Sequence, residues 1–187
     1  MRNVLIVLSG PSGVGKGTIA KKLTEKNQNI SLSISCTTRC PRDGEVDGRE
    51  YFFIEKDKFL EKAKNDGFLE YSNHFENYYG TPKDFVMEKL KTKDVLLEID
   101  VNGGLNVKKS YPEALLIMVA PPSLEEIENR LINRHTESLE KIKLRMQRID
   151  YELEKANLYD YTVVNDDLEQ AITEIEQIII KEKNKQI

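Results

Sequence analysis

Gly10, Gly15 and Lys16 stand in the stretch LSGPSGVGKGT, residues 8–18, at the spacing G-x-x-x-x-G-K, directly after a short apolar run and directly before a helical pattern. In that context the motif can cradle phosphate. Glycines let successive backbone N–H groups turn toward an anion, the helix N-terminus adds a partial positive charge, and the lysine reaches the outer phosphates. The candidate loop is the whole run Gly10, Pro11, Ser12, Gly13, Val14, Gly15, Lys16, Gly17 and Thr18. Position 17 departs from the usual pattern, in which a Ser or Thr hydroxyl holds magnesium. With Gly17 there, the metal must be held through water, through Thr18 or by other groups, which suits a magnesium ion that keeps most of its water shell and sits mainly on the phosphates.

A second set of residues could hold a smaller anion. Arg39 and Arg42 lie three apart in a loop with Pro41, and Tyr51 follows after two Asp-Gly turn signals, RDGE and VDGRE. Two guanidinium forks and a phenol make a clamp for a dianionic monophosphate; by themselves, two loop arginines are more often solvated surface. Glu70 follows in the apolar run FLEYS, with Tyr79 and Thr81 close behind. Glu98 and Asp100 stand two apart at the end of DVLLEID, so both carboxylates are expected on one side of a strand end. Ligands of open α/β sheets bind there, and the two acids could orient hydrated magnesium, contact a base edge or cap the next helix. Arg130 and Arg134 share one helical face, and Arg145 and Arg148 another. His135 reads as a surface histidine. Cys36 and Cys40 have no second pair or well-placed His to complete a zinc site, and read as reduced thiols.

These residues need a scaffold, and the hydrophobic pattern supplies one. The runs VLIVL (4–8), SLSIS (31–35), DVLLEI (94–99), ALLIMVA (114–120) and YTVV (161–164) alternate with helical patterns over 16–26, 82–92, 102–110, 123–134, 138–157 and 167–183. That alternation predicts an α/β fold with a parallel sheet flanked by helices. Runs that are apolar on successive residues predict strands buried on both faces. PPSLEEIENRL marks a helix start, with Ser123 and Glu126 as a capping box. Between Cys36 and Gly80 the alternation breaks into short hairpin-like strands, REYFFI and FLEYS, so 35–81 is expected as a small inserted lobe. The tail KEKNKQI reads as a fraying helix end.

The totals narrow the class further. At 187 residues with 39% hydrophobic and 32% charged residues, the chain suits one soluble globular unit. A net charge of −4, from well-mixed acids and bases, disfavours a non-specific nucleic-acid binder. The apolar run Val4–Leu8 is too short for a signal core or a membrane span, so a cytoplasmic location is expected, with neither membrane nor nucleic acid as partner.

The segments GPSGVGKGT, TTRCPRDGEVDGREYFF, FLEYSNHFENYYGTP, VLLEIDVNGG, APPSLEEIENRL and YDYTVVNDDLEQA resemble guanylate kinases in order and spacing, from residue 4 to 180. The resemblance implies a P-loop nucleoside-monophosphate kinase fold. Its α/β core would comprise 1–34, 82–126 and 158–187, with a GMP-binding lobe at 35–81 and a helical lid at 127–157. It implies magnesium as cofactor and ATP and GMP as substrates. Ser35, Arg39, Arg42, Tyr51 and Tyr79 would gather the GMP phosphate, Glu70 and Thr81 would read the base, and Glu98, Asp100 and Arg145 would complete that site. Arg130 and Arg134 would join the loop at ATP, with Asn165 near the adenine, and Lys16, Arg39, Arg134 and Arg145 would serve the transferring phosphoryl. Thr18 and Asp100 would face magnesium, mostly through water. Many family members carry Asp where Glu98 stands, and glycines usually flank the arginine matched by Arg134, where this chain has Asn133 and His135.

Three other classes fit less well. A guanylate-kinase-like protein-binding module would have a decayed phosphate loop. An AMP or pyrimidine-monophosphate kinase would not place a carboxylate at Glu70. A switch GTPase needs an Asn-Lys-x-Asp motif, which VVNDDL is not. The expected partners are therefore small-molecule nucleotides, with the chain a monomer or homodimer.

Overall fold

The computed structural model describes residues 2–74, 76–132 and 139–185. The chain runs through β1 (Leu5–Ser9), α1 (Lys16–Lys26), β2 (Ile30–Leu32), β3 (Cys36–Thr37), β4 (Phe52–Phe53), α2 (Lys56–Lys64), β5 (Phe68–His74), β6 (Asn77–Pro82) and α3 (Lys83–Leu90). It continues through β7 (Asp94–Glu98), α4 (Val101–Ser110), β8 (Leu115–Ala120), α5 (Leu124–Ile132), α6 (Leu139–Leu153), β9 (Tyr161–Val164) and α7 (Leu168–Lys185).

The large sheet has the order β2-β7-β1-β8-β9, and every pairing in it is parallel. Its central strands are apolar on successive residues because both faces are covered. Ile6, Leu8, Leu96, Ile117 and Val119 face α1 and α7, packing with Ile19, Leu23, Ile172 and Ile175. Leu5, Val7, Val95, Leu97, Leu116 and Met118 face the other way, against Val86 of α3 and Val107 of α4. Odd and even positions of one strand thus fill two separate cores, as a period of two requires. Ser123 caps α5 by accepting from the Glu126 N–H at 3.1 Å, in line with the expected helix start. Among the described residues no helix is long and apolar enough to cross a membrane.

The smaller sheet, β4-β3-β6-β5, corrects two expectations. REYFFI is not a hairpin arm: β4 pairs in parallel with β3, while the hairpin is β5–β6. Between β4 and β5 stands α2, a helix that the pattern KDKFLEKAK conceals because only Phe59 on it is buried. Phe59 stacks on Phe68 with ring centroids 4.4 Å apart and fills a small aromatic core of its own. The expected strand at 31–35 is also shorter, since β2 pairs only as far as Leu32 before the chain leaves for this second sheet. The parallel strands β1, β7, β8 and β9 end at Ser9, Glu98, Ala120 and Val164, and the glycine-rich loop lies against three of these ends, with Gly17 near Glu98, Gly10 near Val119 and Gly15 near Asn165.

Candidate active site

The loop between β1 and α1 is held in shape by contacts that only glycine allows. A Cβ on Gly10 would come within 2.2 Å of the Val119 carbonyl oxygen, and one on Gly15, whose φ is +100°, within 2.6 Å of the Asn165 amide nitrogen. Gly15 is the N-cap of α1, so the helix begins under the loop. Lys16 Nζ donates to the carbonyls of Gly10 (2.6 Å) and Pro11 (3.0 Å), which folds the ammonium back over the loop. Asn165, buried at the end of β9, donates Nδ2 to the Val14 carbonyl at 2.7 Å. Its side chain thus supports the loop from beneath.

Gly17 and Glu98 are neighbours. A Cβ at Gly17 would lie 3.4 Å from Glu98 Oε1, so a carboxylate faces the position where the usual hydroxyl would begin. Partial desolvation in the cleft pushes the Glu98 carboxyl up, and the Lys16 charge opposes that rise. Thr18 is exposed in the first turn of α1. The expectation that Glu98 and Asp100 share one face of a strand does not hold, because β7 ends at Glu98. Asp100 is instead the N-cap of α4, its Oδ1 accepting from the Gly103 N–H at 2.8 Å.

That cap brings α4 against Glu70. A Cβ at Gly103 would stand 3.1 Å from Glu70 Oε2, so the glycine leaves room for the carboxylate. Glu70 pairs with Thr81 across β5 and β6 just after a register shift, and accepts from Thr81 Oγ1 at 2.7 Å. A bulge of this kind re-aims a side chain. Only 8% of Glu70 is exposed, and this burial, with the nearby Asp100 charge, pushes its carboxyl up to about 7 against the Thr81 hydrogen bonds.

The two-arginine loop is a compact cluster. The Arg39 guanidinium donates to the Glu45 carboxylate at 2.8 Å and to the Cys40 carbonyl at 2.7 Å. It lies 5.6 Å from the Tyr51 ring centroid and 5.8 Å from that of Phe53, and Tyr51 meets Tyr79 edge-on at 5.9 Å. Burial pushes the Tyr51 phenol up, while Glu45 and Tyr79 raise Arg39. Ser35 adjoins the cluster, its carbonyl accepting from the Phe52 N–H. The Arg42 side chain is exposed, and its backbone N–H donates to Glu45 at 2.8 Å. Glu45 has no place in the sequence reading, where RDGE is only a turn; an acid three residues after the second arginine is the signal that could have found it.

From α6, Arg145 donates to the Ser12 hydroxyl at 2.7 Å and so reaches the phosphate loop. Arg148 turns instead to Glu152 on its own helix, at 2.9 Å. Arg134, with Asn133 and His135, lies outside the described residues, as does the side chain of Arg130. Among the described residues no group of three or more His, Cys, Asp or Glu could hold a metal ion. Such a donor set does not make a protein cage for a metal ion.

Comparison with known proteins matches this arrangement to one family. The family model for guanylate kinase matches residues 2–182. The guanylate kinase of Caldanaerobacter subterraneus subsp. tengcongensis is 49% identical over 183 residues, covering 97% of this chain and 89% of its own. That of Clostridioides difficile is 49% identical over 185 residues, covering 98% and 90%. The crystal structure of guanylate kinase from Anaplasma phagocytophilum superposes with a TM-score of 0.77 at 32% identity, over 97% of this chain and 86% of its own.

Proposed function

Because the chain belongs to the guanylate kinase family, we propose that it transfers the γ-phosphoryl group of ATP to GMP, giving ADP and GDP, with the residue roles that follow. The observation that carries the choice of acceptor is the buried Glu70 carboxylate, oriented by Thr81. Guanine presents N1–H and an exocyclic N2–H₂ side by side, and one carboxylate can accept from both. Adenine offers a lone pair at N1 and no donor at C2, so it would leave Glu70 buried without a partner; a site of that kind can reject an analogue by ~10⁴.

Ser35, Arg39, Arg42, Tyr51 and Tyr79 gather the GMP phosphate on the lobe side of the cleft. Lys16 and the N–H groups of residues 10–18 hold the β- and γ-phosphates on the core side. A GMP phosphate oxygen then attacks the γ-phosphorus, the bond to the β–γ bridging oxygen breaks, and ADP leaves with that oxygen. Such a transfer asks little covalent chemistry of the protein; position and charge neutralisation do the work. Thr18, Asp100 and Glu98 would face the water shell of magnesium, which when bound neutralises phosphate charge. Arg145 and Arg134 stabilise the transferring group from the lid at 127–157, which excludes water and prevents hydrolysis of ATP. Arg130 would join the donor site, and Asn165 supports the loop from beneath. We place the reaction in the cytoplasm, with free nucleotides as partners.

The test is to mix the purified protein with magnesium and ATP and, separately, GMP, AMP, CMP and UMP, and to follow ADP formation. ADP formed only with GMP is the expected result. Comparable turnover with AMP would remove Glu70 from base selection, and no turnover with any acceptor would overturn the reaction.

A further inference from the structure

Glu45 joins the two arginines of the acceptor clamp. Residues 42–45 form a tight turn in which the Glu45 N–H donates to the Arg42 carbonyl at 3.0 Å, with Gly44 at the third position and φ +84°. Glycine is favoured there because the position requires a positive φ. The turn carries the Glu45 side chain back over its own start. One carboxylate oxygen accepts from the Arg42 backbone N–H and the other from Arg39 Nη2, both at 2.8 Å. The side chains of Arg39 and Glu45 are 15% and 18% exposed, so this pair is largely shielded from water.

We propose that Glu45 is a positioning residue for the acceptor phosphate, holding the Arg39 guanidinium and the Arg39–Arg42 loop in their binding arrangement. The inference rests on the functional reading above, which puts a monophosphate at this clamp. Arg39 is fixed from several sides: by Glu45, by the Cys40 carbonyl and by the rings of Tyr51 and Phe53. A guanidinium carries five N–H donors in a rigid fork, so binding Glu45 and Cys40 leaves capacity for phosphate oxygens. Ordering a long arginine side chain before the ligand arrives removes an entropy cost from binding. Glu45 also brings a negative charge close to the phosphate, and this works against affinity. Positioning therefore predicts weaker GMP binding when the carboxylate is removed, whereas a carboxylate that merely occupied the phosphate's seat would give tighter binding.

The two signs separate in one experiment. Calorimetric titration of wild type, Glu45→Gln and Glu45→Ala with GMP and with guanosine, which lacks the phosphate, is paired with KM and kcat measurements for GMP and ATP. Glu45→Ala is expected to weaken GMP about tenfold, the scale of a charge-assisted hydrogen bond, while the guanosine affinity and the KM for ATP stay within about twofold. Glu45→Gln is expected to fall between, since its amide oxygen still accepts from Arg39 but its NH₂ cannot accept from Arg42. Unchanged or tighter GMP binding in both variants overturns the inference, and so does an equal loss for guanosine and GMP. A wild type that binds no GMP would instead overturn the functional reading on which the inference rests.

Discussion

In the proposed function the phosphate loop and the acceptor lobe each prepare a place for phosphate, by different means. In the loop the main chain does the work, and its shape is enforced from outside by the Val119 carbonyl, the buried Asn165 amide and the start of α1. In the lobe side chains do the work, and other side chains hold them: Thr81 holds Glu70, and Glu45 and the aromatic rings hold Arg39. A backbone site binds whatever carries a suitable polyphosphate. A side-chain site can discriminate, because each donor or acceptor has a partner of defined chemistry.

The difference between the two regions is sharpest at Lys16, whose ammonium folds back over the loop. Lys16→Ala should lower the rate of phosphoryl transfer about 10²–10³-fold, the usual scale for losing one charge-stabilising donor. Calorimetry should find GMP binding intact, because the lobe forms its own sheet and its own aromatic core. Loss of GMP binding in this variant would show that the two regions are not separate. The converse change is Glu70→Gln, which removes the charge from a buried hydrogen-bonded acceptor and should weaken GMP binding about 10–100-fold. ATP binding should be unaffected, and equal losses for the two ligands would remove Glu70 from base recognition.

Glu70 also gives the lobe a pH dependence. Its carboxyl stands near 7, above its ordinary value, so the folded protein holds this proton across the range where the unfolded chain has lost it. Ionising Glu70 therefore costs the unliganded fold stability as pH rises from the ordinary carboxyl range through 7. Base recognition needs the ionised form, so guanosine affinity should fall about tenfold per pH unit below 7 and level off above it. Guanosine is the right probe because it has no phosphate to titrate. A flat profile in wild type would refute the assignment, and Glu70→Gln should be flat. The smallest effect is expected at Asn165→Ala, which removes a buried hydrogen bond to the loop at a cost of about 1–3 kcal/mol, read from denaturant unfolding. The KM for ATP should rise, and ATP and GTP should be affected alike as phosphoryl donors. A selective loss for ATP would mean that Asn165 reads the adenine.

The loop was legible because all its parts are adjacent in sequence, and an apolar strand and a helix start frame it. Likewise the continuous apolar runs 4–8, 94–99 and 114–120 foretell strands covered on two faces. The lobe was harder to read. Its helix α2 buries a single large apolar side chain, Phe59, so it shows no stripe of period 3.6. The Asp-Gly signals mark turns correctly but do not say which strands they join, and β4 pairs in parallel with β3. Glu98 and Asp100 diverge because a strand's period of two stops where the strand stops.

Composition and local pattern by themselves determined the α/β class, the phosphate loop and the pool of arginines and acids from which an acceptor site could be drawn. Those properties reside in neighbouring residues, whose spacing sets which groups share a strand face or a helix turn. Only the tertiary structure decided which of those groups act together. Glu70 acquires its raised carboxyl pKa from burial between β6 and the start of α4, and Arg39 its fixed direction from Glu45 and two rings. Desolvation and the orientation of long side chains depend on what the rest of the chain places around them, and that is settled only when the sheets have formed.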